Sequence, residues 1–332
     1  MRGTKKIALF LLCLLGLLGC AVLSLLFGSR SMPLGALWDA VRGVSADPIA
    51  TGIVQTRLPR MVFGLVAGAA LGVSGALMQC ITRNPIADPS ILGVNTGASL
   101  MVVIGIAFFG INLPGQYIIL ALIGAGATAV FVYAIASLGS AGLTPIKLAL
   151  SGAATGMALS SLVSTVILPR SQVMDQFRFW QIGSVGGANW AQIAAVAPYL
   201  AAGLVVALVL IPSLNTLALG DEMATGLGTN VKLTRGLGAL AGVLLCGATT
   251  AVAGPIGFVG LMVPHLMRSI FGPDLKYIIP MSAIGGACLL SLADVLGRVV
   301  GSPGEIEVGI VTAFLGAPFF VMIARKAKVT TL

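Results

Sequence analysis

Charge is what this sequence has least of. Only 9% of its 332 residues are Asp, Glu, Lys or Arg, where a water-soluble domain carries about 25%. It holds ten acids and one histidine, and its aromatic share is 6%. A chain so poor in charge cannot cover a water-facing surface. That excludes a soluble enzyme, a disordered segment and a disulfide-rich secreted domain. The five cysteines, at 13, 20, 80, 246 and 288, stand in or beside apolar runs, with no Cys-x-x-Cys pair and no histidine nearby. They read as small packing residues, and no metal site is assigned. The middles of the apolar runs lack acids and histidine, with Asp294 and His265 near run ends. Ion-coupled transporters place such groups inside their spans, so the shortage weighs against that class. The net charge of +9 is scattered singly, without the basic stripe of a nucleic-acid binder.

Apolar residues make up 58% of the chain, and the mean hydropathy is +1.06. The fold class expected is an all-α polytopic membrane protein, a single domain over 1–332. A helix crosses the ~30 Å hydrocarbon core in roughly 20 residues. Charge-free stretches cover 7–29, 61–82, 89–146, 148–169, 179–220, 236–264, 277–293 and 308–324. The longest breaks at Asn112-Leu113-Pro114-Gly115-Gln116, a turn-rich segment. The stretch 236–264 holds one full span to Gly254-Pro255 and a shorter helix to Met267, giving ten transmembrane helices. Continuous rather than alternating apolarity argues against a barrel. An even count puts both termini on one side. That side collects twelve of the basic residues, among them Arg2 and Lys328, against seven opposite, among them Arg30. The positive-inside rule therefore places both termini in the cytoplasm. Leu17-Leu18-Gly19-Cys20 looks like a lipoprotein cleavage box, but the apolar run continues through Phe27, which favours an uncleaved first span.

Glycine is abundant, 44 residues. Gly64, Gly68, Gly72 and Gly75 fall on one helix face and predict close approach by another helix. Gly254, Gly257 and Gly260, with Pro255 and Pro264, predict a broken, tightly packed helix. The longest cytoplasmic loop, about 212–235, contains an amphipathic stretch from Leu217 to Leu227. Asp221 and Glu222 lie near its start, and Gly226 and Gly228 stop it. It reads equally as a connector or as a docking helix for a soluble partner. On the opposite face Arg57, Arg60 and Arg298 read either as anchors of helix ends or as a cationic collar for an acidic partner. Asp294 and Arg298, four apart, share a helix face. Met157 is a candidate pathway residue, with core packing as the plainer reading.

Three separated segments carry a specific resemblance: RLPRMVFGLVAGAALGVSGALMQCITRNPIADPSILGVNTGAS (57–99), GPIGFVGLMVPHLMR (254–268) and GIVTAFLGAPFF (309–320). In this order, and over nearly the whole chain, they resemble the FecCD-type permeases, membrane subunits of binding-protein-dependent ABC importers for iron–siderophores, haem and vitamin B12. The resemblance implies a vitamin B12 importer permease-like (type II) bundle. It implies a homodimer or a heterodimer with a sister permease, the pathway lying between the subunits. It also implies two cytoplasmic ATPase subunits, which hold ATP and Mg, and a periplasmic or lipid-anchored binding protein. No cofactor and no covalent chemistry are expected in this chain. By the same resemblance Arg57, Arg60 and Arg298 meet the binding protein. Gly220, Asp221, Glu222, Ala224, Leu227 and Gly228 belong to the coupling segment in an ATPase cleft. Asn84, Thr144, Pro145 and Ile146 lie at the cytoplasmic gate, with Pro145 in place of a polar residue in the vitamin B12 member. The expected substrates are iron–siderophore, then haem, then vitamin B12.

Overall fold

Helix boundaries in this chain are written by short polar residues at the ends of apolar runs. Asp47 caps the first turn of a long helix by accepting from the Ile49 N–H at 2.9 Å, with Pro48 at the first helical position. Asn189 and Gln192 form a reciprocal capping box. Asn230 accepts from Leu233 N, and Asp274 from Lys276 N. The computed structural model describes residues 3–28, 47–111, 114–138 and 144–326, with positions 33, 35, 38, 39, 42 and 44 besides. Arg2, Arg30, Lys328 and the Asn112-Leu113 turn lie outside the described residues.

Among the described residues the chain is wholly helical. In order the helices are α1 (Gly3–Leu26), α2 (Pro48–Ile81), a single 3-10 turn (Pro89–Leu92), α3 (Val94–Phe109), α4 (Pro114–Ala136), α5 (Pro145–Ile167), α6 (Ser171–Gln181), α7 (Trp190–Val209), α8 (Ile211–Leu217), α9 (Asp221–Gly226), α10 (Val231–Ala253), α11 (Val259–Phe271), α12 (Leu275–Val300) and α13 (Val308–Lys326). Seven of them (α1, α2, α4, α5, α7, α10 and α12) are long and apolar enough to cross a membrane. Three more, α3, α11 and α13, are apolar but shorter, so length and composition supply seven of the ten expected crossings. Two of the short helices have a physical reason. Residues before α3 are spent on the 3-10 turn, whose Pro89 and Leu92 are buried. Before α11, Gly254 and Phe258 take positive φ, breaking the helix where the glycine and proline spacing predicts.

The core lies along α2, α10 and α12, the most buried of the long helices. The glycine face of α2 meets α12. A Cβ added at Gly68 would stand 2.7 Å from the Gly286 carbonyl carbon and 2.9 Å from Ala287 Cα. The small-residue stripe therefore lets two backbones touch, as its spacing implies. Further along, Gln79 donates to the Gly260 and Leu261 carbonyls at 3.3 and 3.2 Å and accepts from Arg268 Nη1 at 3.0 Å. It thereby ties the start of α11 to α2 where the preceding break leaves main chain exposed. From Arg60 to Ile81, α2 rises about 31 Å, close to the hydrocarbon thickness. A polar cluster gathers at each of its two ends.

Candidate docking and coupling surfaces

At one end three arginines converge. Arg60 and Arg57 lie one turn apart on α2, and Arg298 lies in the last turn of α12. Asp294, one turn before Arg298, is the shared counter-ion. Its Oδ1 accepts from Arg60 Nη2 at 2.8 Å and Nε at 3.1 Å, and its Oδ2 pairs with Arg298 Nη2 at 3.0 Å. The four-residue spacing of Asp294 and Arg298 forms the predicted pair. Arg298 also donates from Nη1 to the Ser24 carbonyl and from Nη2 to Ser24 Oγ, each at 3.1 Å. Arg57 Nη1 donates to the carbonyls of Leu25 at 2.8 Å and Leu26 at 3.3 Å. Two of the arginines thus satisfy the C-terminal carbonyls that α1 cannot satisfy itself. Arg57 and Arg298 are both buried. Of the two readings left open, Arg57 and Arg298 here act as anchors of a helix end, an internal lock holding α1 against α2 and α12. Arg60 Nη1 differs, because it faces Glu305 Oε2 at 2.8 Å, and the Glu305 side chain is 37% exposed. A cleft of about 360 Å³ opens here, lined by Gly28, Thr56, Arg57, Arg60, Gly186 and Glu305 among others.

At the opposite end the segment expected to couple is built differently from a single amphipathic stretch. Gly220 adopts φ +122° and breaks Leu217–Leu227 into the end of α8 and the six-residue α9. Glycine is required there because a side chain would be strained at that φ. Ala224 is fully buried, and its N–H donates to the Gly220 carbonyl at 2.8 Å. The stop after Gly226 is as read from the sequence. Gly228 sits at φ +82° and Thr229 N bonds to the Ala224 carbonyl at 2.9 Å. Thr216 and Thr229 hydroxyls meet at 2.7 Å across the base of the loop. Asp221 pairs with Arg235 at 2.9 Å and Arg83 at 3.3 Å, which fastens the segment to α10 and to the end of α2. Glu222 is exposed. Leu219, just before the Gly220 break, and Met223 and Leu227, after it, are all exposed.

The other expected residues are engaged locally. Asn84 Oδ1 accepts from Ile86 N at 3.1 Å. Thr144 caps α5 through the Lys147 N–H at 3.3 Å. Pro145 opens that helix and Ile146 follows it, so residues 144–146 form a helix start. Met157 projects from α5 and is exposed. His265 packs edge-on against Phe319, with ring centroids 6.0 Å apart. Sequence reasoning missed Glu305 as a partner of Arg60, Asp294 as the shared counter-ion, and Gln79 as the clamp on α11. A lone Gln inside ALMQC was the available signal for the last.

Both polar ends and the helices between them fall within one family model, that of the FecCD transport family, which matches residues 14–326. The chain belongs to the FecCD transport family. Among its relatives is the ferric enterobactin transport system permease protein FepD of Escherichia coli (strain K12), 42% identical over 324 residues and covering 97% of this chain and 96% of that protein. The Fe(3+)-citrate import system permease protein YfmD of Bacillus subtilis (strain 168) is 47% identical over 277 residues, covering 83% of this chain and 82% of that one. The hemin transport system permease protein HmuU of Yersinia pestis is 36% identical over 329 residues, covering 96% of this chain and 95% of that one. A solved structure of a metal-chelate type ABC transporter in an inward-facing conformation matches with a TM-score of 0.82 at 29% identity, over 95% of this chain and 97% of that one. Like its FecCD relatives the chain is a multi-pass membrane protein, in keeping with its seven apolar helices.

Proposed function

We propose that this chain is the permease subunit of an ABC importer that carries an iron chelate, a ferric siderophore or haem, across the cytoplasmic membrane. ATP hydrolysis takes place in partner subunits, and this chain performs no covalent chemistry. The observation that carries the reading is the full-length membership of the FecCD family, whose relatives named above are iron-chelate and hemin permeases. The two ends of the bundle suit the two partners such a subunit needs. On the cytoplasmic side, Leu219, Met223 and Leu227 offer exposed apolar side chains on a segment braced by Ala224 and by the Asp221 ion pairs. A protein pocket can bury them without disturbing the bundle, and they are the surface for the ATPase. On the outer side the arginine cleft, with Arg60 foremost, suits an acidic lobe of a soluble binding protein.

In this reading both termini are cytoplasmic and the chain crosses ten times, α3, α11 and α13 making the crossings that length alone does not supply. Two copies, or this chain and a sister permease, enclose the pathway, with Met157 on the exposed face of α5 toward it. Asn84 and the start of α5, Thr144-Pro145-Ile146, stand near the cytoplasmic gate. ATP closes the ATPase pair, the 220–228 segment moves with it, and the gate opens to one side. A vitamin B12 importer is the second reading, on the family's wider range. An ion-coupled carrier is disfavoured by the commitment of Asp294 to two arginines.

The test is reconstitution in liposomes with the ATPase and binding protein. ATP-dependent uptake of 55Fe-labelled siderophore or of haem is expected. Uptake driven by an ion gradient without the ATPase would overturn the assignment, and uptake of cobalamin alone would move it to the second reading.

A further inference from the structure

The arginine cleft is already occupied by an acid of the chain itself. Arg57 and Arg298 spend donors on the last turn of α1, and Arg60 spends Nε and Nη2 on Asp294, whose side chain is 5% exposed. Arg60 Nη1 is turned the other way, to Glu305 in the connection between α12 and α13. The two carboxylates on Arg60 are therefore unlike. Asp294 is buried and shared with a second arginine, so removing it strands two charges. Glu305 is over a third exposed and pairs with Arg60 alone among the ion pairs found, on the rim of a 360 Å³ cleft. Gly28 and Gly186 line that cleft, and Gly186 leaves the approach to Arg60 Nη1 open: a Cβ there would stand 3.3 Å from that nitrogen.

We propose that Glu305 is a placeholder, and that an acidic side chain of the soluble partner takes its position on Arg60 Nη1 when the partner docks. The proposal rests on the docking role read above. It assigns that role unequally among the three arginines: Arg60 receives the incoming carboxylate, while Arg57 and Arg298 hold the floor. The exchange is carboxylate for carboxylate, so the Arg60 guanidinium is never left bare. Its consequence is that Glu305 competes with the partner and weakens docking. A partly exposed ion pair worth about 0.4–1 kcal/mol corresponds to roughly a two- to five-fold change in affinity.

The test uses the full-length permease in lipid nanodiscs and the binding protein that supports uptake in the reconstituted system. Affinity is measured for wild type, Glu305→Gln, Glu307→Gln, Arg60→Gln and the Arg60→Gln/Glu305→Gln double variant, at low and high salt. Glu307→Gln removes the same charge two residues away, without the bond to Arg60, and reads the bulk electrostatic effect. Expected is a roughly two- to five-fold tightening in Glu305→Gln beyond that of Glu307→Gln, abolished in the Arg60→Gln background. Equal affinities in the two glutamate variants, or weaker docking in Glu305→Gln, would overturn the placeholder while leaving the docking surface standing. Wild-type affinity in Arg60→Gln would overturn the docking role of Arg60, and the placeholder with it.

Discussion

The contact between α2 and α12 makes a sharp prediction, because one stripe of glycines contains its own control. Replacing Gly68 by Ala puts a methyl 2.7 Å from the Gly286 carbonyl carbon and 2.9 Å from Ala287 Cα. Carbon atoms in good contact sit about 3.5–4.0 Å apart, so the helices must part by about 1 Å locally. Both neighbours are main chain inside a helix and cannot rotate away as a side chain would. Overpacking of this kind costs about 1–3 kcal/mol, which for a chain this size is a fall of several degrees in thermal midpoint. Gly64 lies one turn earlier on the same face, and there the nearest atom to an added methyl is Ser291 Oγ at 3.8 Å, an ordinary contact. Gly64→Ala should therefore be neutral, or gain slightly from the better helix propensity of alanine. The two variants differ by one turn and share the same chemistry, lipid exposure and expression background. Midpoints of detergent-solubilised protein, followed by tryptophan fluorescence or by loss of the monodisperse peak on heating, decide the matter. If Gly68→Ala melts with Gly64→Ala and wild type, the helices are not in backbone contact there and the reasoning fails.

Three further outcomes follow from the two ends. Asp294→Asn strands Arg60 and Arg298 without their shared buried counter-ion; a loss of about 3–5 kcal/mol is expected, seen as low membrane yield and a lowered midpoint, and an unchanged midpoint would show the network to be dispensable. Asp at Leu219, Met223 and Leu227 together should leave the permease folded, because all three side chains are exposed. Its capture of the ATPase subunit should fall at least ten-fold by surface binding; undiminished capture would remove these side chains from the interface. Ala224→Pro removes the 2.8 Å bond to the Gly220 carbonyl and forces a ring into a fully buried position; ATP hydrolysis should proceed while uptake falls, and full uptake would exclude a coupling role for the segment.

What the sequence made legible was whatever depends on local spacing. Period-four glycines announced the α2 face, an i,i+4 acid and arginine announced the Asp294–Arg298 pair, and clustered glycines and prolines announced the break between α10 and α11. Each rests on residues within a turn or two of one another, so helix geometry alone fixes their relation. Three things were not legible. The separation of α8 from α9 depends on Gly220 adopting φ +122°, a conformation that an amphipathic pattern does not encode. The shortness of α3 depends on buried packing of the 89–92 turn against other helices. Most consequential for function, the sequence left the arginines open between anchors of helix ends and an outward collar, because a charge near the end of an apolar run looks exposed in one dimension. Their partners are 234 and 245 positions away for Arg60, and 274 positions away for the contact of Arg298 with Ser24. Only the folded bundle brings the open end of α1 beneath them. Once it does, the costs differ sharply. A guanidinium buried against main-chain carbonyls must be pulled out of bonds that nothing else can replace, whereas one facing a rim carboxylate can trade it for another of the same kind. That difference separates Arg60 from its two neighbours, though all three look alike in the sequence.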